Sequence, residues 1–253
     1  MNRLAGKVAL ITGVGSGIGQ AAARLFCQQG ATVFGIDRNL EAGKALAQEL
    51  QAQGQTFLFH AADLSHETAC VESVRQCMAV CGHIDILYNN AGISVVTPFH
   101  ETDAETLEKI LAVNFLSVFY LCQQVIPTMQ QRGGVIINTA SELAIVAQPL
   151  YTAYCASKGA VLSFTRALAL EYAQSNIRIN ALCPGPIDTP MLQHEFDIDA
   201  NPLKAKAQGI ASMPIGRLGN PEEIAQVALF LASDAPALMH GASIVVDGAK
   251  TIL

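Results

Sequence analysis

An α/β architecture follows from three observations. Short β-branched runs alternate with helical patterns from one end of the chain to the other, no linker, low-complexity segment or fixed-period repeat interrupts them, and 253 residues is a length that one α/β unit commonly fills. Strands alternating with helices of this length pack as a parallel sheet covered on both sides. The sequence predicts one domain over residues 1–253, a doubly wound parallel sheet of about seven strands with helices on both faces.

Each element can be read in turn. Lys7–Thr12 is a strand buried on both faces, followed by a helix from Gly17 that ends at Gly30. Ala31–Asp37 is the second strand, with a helix over 39–53. A third strand lies near 56–62, a helix near 66–81, and the fourth strand is Ile84–Asn89. A long helix near 103–131 leads to the fifth strand, Gly134–Thr139, and a helix near 152–174 precedes the sixth, Ile177–Leu182. Asn220-Pro221-Glu222-Glu223 has the form of a capped helix start, with proline at its first position. Gly241–Asp247 supplies the seventh strand. The stretch from about Pro184 to Leu218 lacks clear periodicity. Long irregular segments in compact domains are usually lids or binding loops, so residues 186–215 are expected to cover a substrate.

Composition narrows the partners. Fifteen basic and 21 acidic residues give a net charge of −6, and without a basic run neither nucleic acid nor an anionic membrane is expected as partner. Only 14% of residues are charged while 51% are hydrophobic, against about 25% charged in an average soluble domain. Sister subunits are expected to cover part of the surface. Ile110–Gln131 carries no charge, but its dense apolar part spans only 13 residues, short of the roughly 20 a membrane span needs; it reads as a buried or interface helix. Seven cysteines without a C-x-x-C pair suit free thiols in a reducing compartment better than a disulfide framework. Cys77 and Cys81 share a helix face, but two ligands do not make a zinc site, and no metal is expected. The apolar run near the start, Val8–Ile11, is too short for a signal peptide, and a cytoplasmic location is expected.

The first strand ends in Thr12-Gly13-Val14-Gly15-Ser16-Gly17-Ile18-Gly19. Such glycines let the backbone turn tightly and approach a pyrophosphate, which then sits on the positive N-terminus of the following helix. A glycine turn alone also serves as an ordinary strand–helix connection. Here Asp37 ends the second strand, 18 residues after Gly19, where a carboxylate can accept hydrogen bonds from an adenosine ribose. The same carboxylate would face the extra phosphate of NADP. Two like charges about 4 Å apart repel by roughly 1 kcal/mol in water and roughly 4 at an effective dielectric of 20. That is several-fold to several hundred-fold in favour of NAD. Arg38 pulls the other way, but neither Val14 nor Ser16 is basic, and NAD is the expected cofactor, with a Rossmann-type binding unit. The alternative for Asp37 is a plain helix N-cap.

Further along, the sequence resembles the short-chain dehydrogenase/reductase family, in its subfamily of about 250 residues. Asn89-Asn90-Ala91-Gly92 follows the fourth strand, Asn114 lies in the long helix, and Ser141 follows the fifth strand. Tyr154-Cys155-Ala156-Ser157-Lys158 forms a Y-x-x-x-K motif 13 residues after Ser141, and Pro184-Gly185-Pro186-Ile187-Asp188-Thr189 resembles the family's P-G-x-I-x-T loop. The ordered set spans essentially the whole chain. It implies a catalytic set of Asn114, Ser141, Tyr154 and Lys158, with Asn114 anchoring a water, Ser141 bonding the substrate oxygen and Lys158 also holding the nicotinamide ribose. By the same resemblance Gly13, Ser16, Gly17, Ile18 and Gly19 hold the pyrophosphate, Asp63 and Leu64 border the adenine, Asn90 and Gly92 the ribose side, and Pro184, Ile187 and Thr189 the carboxamide. A homotetramer is implied as well.

The residue types agree with that chemistry. Tyr154 and Lys158 are four apart on a helix and share a face. A tyrosine of ordinary pKa, about 10, is a poor base at neutral pH, and a nearby ammonium together with a positive nicotinamide ring is expected to lower it. Taken singly, Ser141 serves as a turn residue, Tyr154 as a half-buried tyrosine, Lys158 as a solvated charge and Asn114 as a helix bend; their joint occurrence in order makes the catalytic reading the better one. Two departures from the family pattern stand out. Glu142 follows the serine where small residues are usual, and reads either as a pocket acid selecting a hydroxylated or cationic substrate or as a surface or N-cap residue. Near its end the chain reads Val246-Asp247-Gly248-Ala249-Lys250 where the family pattern has a double glycine. Cys155 reads as a core cysteine. Ser94, Glu142 and Gln148 are further pocket candidates beneath an apolar lid.

Three functions remain open at this point: an NAD-dependent dehydrogenase of a secondary alcohol, possibly cyclic or hydroxylated; a 3-oxoacyl thioester reductase using NADPH; and a dinucleotide-binding regulatory protein without turnover. Intact Tyr154 and Lys158 disfavour the last.

Overall fold

In the computed structural model, which describes residues 2–252, seven strands form one all-parallel sheet in the order β3-β2-β1-β4-β5-β6-β7. The strands are β1 (Val8–Thr12), β2 (Thr32–Asp37), β3 (Phe57–Ala61), β4 (Ile86–Asn89), β5 (Gly134–Thr139), β6 (Ile177–Pro184) and β7 (Ser243–Val246), each within two residues of its sequence expectation. Both faces are apolar because both are covered. Along β1, Ala9 and Ile11 pack with Phe26, Leu46 and Ile224, from α1 (Gly17–Gln28), α2 (Leu40–Ala52) and α9 (Pro221–Ala232). Val8 and Leu10 pack on the opposite side with Val74, Val125 and Val161, from α3 (Glu67–Cys81), α5 (Ser117–Met129) and α6 (Thr152–Glu171). This period-two alternation into two cores is why the strands read as continuous apolar runs.

The helix starts follow capping chemistry. Asn39 caps α2 by accepting from Ala42 N at 3.1 Å, and Glu223 accepts the Asn220 N–H at 2.8 Å at the head of α9. Asp37, read alternatively as a cap, is therefore not the capping residue of α2.

Two expectations need correction. The long helix near 103–131 is continuous but not uniform: α4 (Ala104–Leu111) passes through a π-helical turn, Ala112–Leu116, into α5. Such bulges recur at functional sites, and this one carries the fully buried Asn114. Ala104–Met129 as a whole is long and apolar enough to cross a membrane, yet half of its most apolar window is buried within the protein. The stretch expected to be an irregular lid is instead largely helical, α7 (Pro190–Asp197) and α8 (Pro202–Ala211). Each begins with a cap residue followed by proline, Thr189-Pro190 and Asn201-Pro202. Low and mixed hydrophobicity hid a helical period that the cap-proline pairs would have revealed.

Sequential strands diverge at β1 and β4, so the loops leaving their carboxyl ends splay apart there. Such a switch point is where doubly wound sheets bind ligands.

Candidate active site

A cavity of about 670 Å³ opens at those carboxyl ends. At one end of it the glycine turn closes against the loop after β4. Thr12 Oγ1 accepts from the backbone N–H groups of Asn90 and Ala91 at 3.0 and 2.9 Å, and Asn90 Nδ2 donates to the Thr12 carbonyl at 3.1 Å. Two glycines are required by close approach. A Cβ on Gly19 would lie 2.1 Å from the Gly13 carbonyl oxygen, and a Cβ on Gly15 would lie 2.8 Å from the Asp37 carboxyl carbon. The bare backbone of Gly15 instead donates to Asp37 Oδ2 at 2.8 Å, while Asn39 N donates to Oδ1 at 2.8 Å. Asp37 is thereby pinned across the turn.

Gly13, Ser16, Gly17, Ile18, Asp37, Arg38, Asp63 and Leu64 all line this end of the cavity. The Ser65 N–H holds the Asp63 carboxyl below the usual range, with a smaller contribution from Arg38. Asn90, Gly92, Pro184, Ile187 and Thr189 line the same space further on. A glycine cradle at a helix N-terminus with a fixed carboxylate one strand away is a shape that a dinucleotide fits. Gly19 does not line the cavity; its role is the close packing of turn on helix.

At the far end, α6 presents Tyr154 and Lys158 on one face, with Lys158 Nζ 5.8 Å from the Tyr154 ring centroid. Lys158 is buried and donates to the Thr139 carbonyl at 2.9 Å. Burial pulls its pKa down from 10.5 to about 8. Ser141 follows β5 and lines the cavity beside Tyr154. Asn114 does not line it. Its side chain sits beneath the floor, accepting from Ile93 N at 2.8 Å and donating to the Ile93 carbonyl at 2.9 Å and to Ser157 Oγ at 3.0 Å. This ties the π turn to α6 and to the loop after β4. A buried chain of Asn89, Asn138 and Thr165, with contacts of 2.8 and 3.0 Å, further fixes β4, β5 and α6 together.

The protein's own groups around Tyr154 do not by themselves lower its pKa. The Tyr154 pKa is raised, chiefly by desolvation and next by the Glu142 carboxylate, with the Ser141 hydroxyl pulling the other way. The residue is only half-buried because it borders the cavity, yet the protein around it leaves the phenolate poorly solvated. Lys158 does not offset this because burial lowers its own pKa to about 8, so that its ammonium is largely neutralised before the tyrosine titrates.

Glu142 is neither a surface residue nor the cap of its own turn. It is buried, accepts from Ser141 Oγ at 2.8 Å, and is paired with Lys250 Nζ at 3.1 Å. Lys250, which the sequence reading left without a role, reaches the cavity from the end of the chain. Tyr151 and Glu195 were missed as well; Tyr151 donates to Glu195 Oε2 at 2.7 Å, and both line the cavity. Ser94 and Gln148 line it as expected, while Cys155 is half-buried rather than in the core. Among the described residues no group of three or more His, Cys, Asp or Glu could hold a metal ion.

Comparison with known proteins agrees with this geometry. A family model described as enoyl-(acyl carrier protein) reductase matches residues 13–250. The chain is 40% identical over 254 residues to the 3-oxoacyl-[acyl-carrier-protein] reductase FabG of Thermotoga maritima, covering 99% of this chain and 100% of that one. It is 37% identical to the D-threitol dehydrogenase of Mycolicibacterium smegmatis, covering 99% and 95%, and 38% identical to the cyclohexanol dehydrogenase of Acinetobacter sp., covering 99% and 97%. A crystal structure from Burkholderia xenovorans, described as a short-chain dehydrogenase/reductase, superposes with a TM-score of 0.94 at 32% identity, covering 99% of this chain and 98% of that one. With this sheet order, this cavity and relatives matched along the whole chain, the protein belongs to the short-chain dehydrogenase/reductase family of nicotinamide-dependent oxidoreductases.

Proposed function

We propose that the protein is an NAD-linked dehydrogenase interconverting a secondary alcohol and its ketone. The observation that carries the reading is the placement of Tyr154, Lys158 and Ser141 at one end of a cavity whose other end holds the pinned carboxylate of Asp37. The bound nicotinamide supplies the hydride acceptor or donor. Tyr154 takes the hydroxyl proton in oxidation and returns it in reduction, Ser141 positions the substrate oxygen, and Lys158 holds the nicotinamide ribose. Asn114 fixes the loop after β4 against α6, so that Lys158 keeps its direction. The raised Tyr154 pKa keeps the phenol protonated at neutral pH, the form needed to donate to a ketone, and oxidation is expected to accelerate as pH rises.

NAD over NADP is supported by the charges around the ribose position. Asp37 and Asp63 outnumber Arg38, which acts on Asp63, so an added phosphate meets a net negative charge. A second reading, an NADPH-linked 3-oxoacyl thioester reductase, is favoured by the 40% identity to the Thermotoga reductase. Titration with NADH and NADPH, followed by nicotinamide fluorescence, separates the two; the chain has no tryptophan to interfere. Tighter NADH binding is expected, and tighter NADPH binding would move the thioester reductase to first place. Tyr154→Phe should abolish alcohol oxidation and leave NADH binding nearly intact; retained turnover would remove Tyr154 from its role.

We also propose a homotetramer. Leu116 at the end of the π turn and Phe119 on α5 are exposed, Leu170 on α6 is 81% exposed, and Phe119 packs against Phe164 of α6, which makes the two helices neighbours in one apolar face. Light scattering at micromolar concentration should give four subunits, and a monomer would refute the proposal.

A further inference from the structure

The substrate end of the cavity carries more polar machinery than the transfer of one hydride and one proton requires. Glu142 Oε2 is occupied by the Ser141 hydroxyl, and Oε1 by Lys250, whose ammonium also reaches Gln148 Oε1 at 3.4 Å. The Glu142 and Lys250 side chains keep only 6% and 14% of their surface exposed, although they are 108 residues apart in sequence. The placement of Lys250 is built. Asp247, itself buried, accepts from Ala249 N at 3.0 Å and Thr251 N at 2.7 Å, folding the chain into a tight turn. Ala249 takes a left-handed conformation, φ 74°, to do so. A non-glycine residue there is strained, and such strain persists where the surroundings over-determine it.

A second polar group faces the same space. Glu195, on α7, accepts from Tyr151 and is paired with no cation among the described residues. Ser94 Oγ is buried beside this carboxylate, which it faces and helps to hold charged, but it makes no hydrogen bond within 3.5 Å. Both residues line the cavity with Glu142, Gln148 and Lys250. A substrate with a single hydroxyl and otherwise hydrocarbon would seal Ser94 Oγ, the second oxygen of Glu195 and the remaining N–H of Lys250 from water without satisfying them, which costs free energy for each group. An ammonium substrate would satisfy Glu195 but meet Lys250. A hydroxyl suits both, because it donates to a carboxylate and accepts from an ammonium or a serine.

We propose that this polar wall is a subsite for the further hydroxyl groups of the substrate, so that the enzyme oxidises one secondary hydroxyl of an uncharged vicinal diol or polyol. The reacting hydroxyl lies against Ser141 and Tyr154, and its neighbour lies against Lys250, Ser94 and Glu195. In the step itself the C–H bond would break with its electron pair passing to oxidised nicotinamide, the O–H proton would pass to Tyr154 in its phenolate form, regenerating the phenol, and the C=O bond would form; the second hydroxyl is bound and unchanged. This inference rests on the dehydrogenase reading above.

The test compares matched substrates with the purified enzyme and NAD: cyclohexanol against its vicinal diol, secondary butanol against vicinal butanediol, and the corresponding vicinal amino alcohols. A site that hydrogen-bonds a hydroxyl rejects the analogue lacking it strongly, so kcat/KM should favour each diol by at least about 100-fold. In Ser94→Ala and in Lys250→Met that ratio should fall at least about tenfold; as a ratio, it is unaffected by loss of folded enzyme. The single alcohols performing as well as the diols overturns the subsite and leaves the dehydrogenase reading standing. Preference for the amino alcohols overturns it in favour of a cation site. No turnover of any of them, with NADH binding intact, overturns the dehydrogenase reading and the subsite with it.

Discussion

Replacing Lys158 with methionine should make the protein more stable while removing its activity, and the gain should depend on pH in a way that identifies its cause. The ammonium is buried, and its pKa falls from 10.5 in the unfolded chain to about 8 in the folded one. Since the folded pKa is the lower, the unfolded state binds more protons between the two values, and stability rises with pH there. The penalty is fully present below the folded value and is gone above the unfolded one. At 1.36 kcal/mol per pKa unit it amounts to about 3 kcal/mol at pH 7 and about 1 near pH 9.5. Methionine fills a similar volume without the charge, but leaves the Thr139 carbonyl without the donor at 2.9 Å. A lost hydrogen bond of this kind subtracts roughly 1 kcal/mol or more, largely independent of pH. The quantity to read is therefore the change in the stability difference between the two proteins. Urea denaturation followed by far-ultraviolet circular dichroism, without nucleotide, should show Lys158→Met losing about 2 kcal/mol of its relative stability between pH 7 and pH 9.5. A difference that stays flat across that range would mean that the ammonium is not held against its burial, and the argument would fail.

Three other outcomes are expected. Glu142→Gln removes a carboxylate that opposes the Tyr154 phenolate, so the alkaline limb of the oxidation profile should move to lower pH, as read from kcat/KM against pH; no displacement, or one to higher pH, would deny Glu142 this influence. Gly19→Ala forces a Cβ to within 2.1 Å of the Gly13 carbonyl, and overpacking of this kind costs roughly 1–3 kcal/mol; urea denaturation should show that loss together with weakened NADH binding, and unchanged values in both would contradict the close packing of turn on helix. Asn39→Ala removes the cap of α2 and should cost about 1 kcal/mol in the same denaturation experiment, with no loss if solvent satisfies the freed N–H equally well.

The sequence made the scaffold legible because a parallel sheet covered on both sides leaves a strong local signature. The central strands are apolar runs whose alternate residues enter different cores, as Ala9 and Val8 do, and β1 and β6 are closed by Gly13 and Pro184. The motifs on the β1, β4, β5 and β6 loops were legible for a related reason: they are contiguous, and the chemistry of each is carried by residues within one turn of each other. Asn114 was legible as a residue but not as a geometry. The π turn that buries it depends on its bonds to Ile93 and Ser157, 21 and 43 residues away, and no local pattern distinguishes it from a regular helix. The helices of the lid lack a clear hydrophobic period, and their cap-proline pairs are the local signature they do carry.

What stayed out of reach was electrostatic, and the direction of the Tyr154 shift shows why. Read from spacing, a lysine four residues on is a positive neighbour that should favour phenolate. In the folded protein the effect of that neighbour depends on its burial beside the Thr139 carbonyl, where its own pKa falls to about 8 and its ammonium is largely neutralised before the tyrosine titrates. The effect of the adjacent carboxylate depends on its counter-ion, and Lys250 is brought to Glu142 only by the turn that closes on Asp247. Neither contact has a local sequence signature, because each joins groups that are distant in the chain and adjacent only across the sheet's carboxyl edge. A charge in this cavity therefore acts as one member of a set, Glu142 with Lys250 and Ser141, Glu195 with Tyr151 and Ser94, and replacing one member alters the field felt by the others. For that reason single substitutions on the polar wall should not add, and a double-mutant cycle between Glu142→Gln and Lys250→Met is the informative pair. Removing both should harm stability less than removing Glu142 or Lys250 alone, because either single change leaves an uncompensated charge buried.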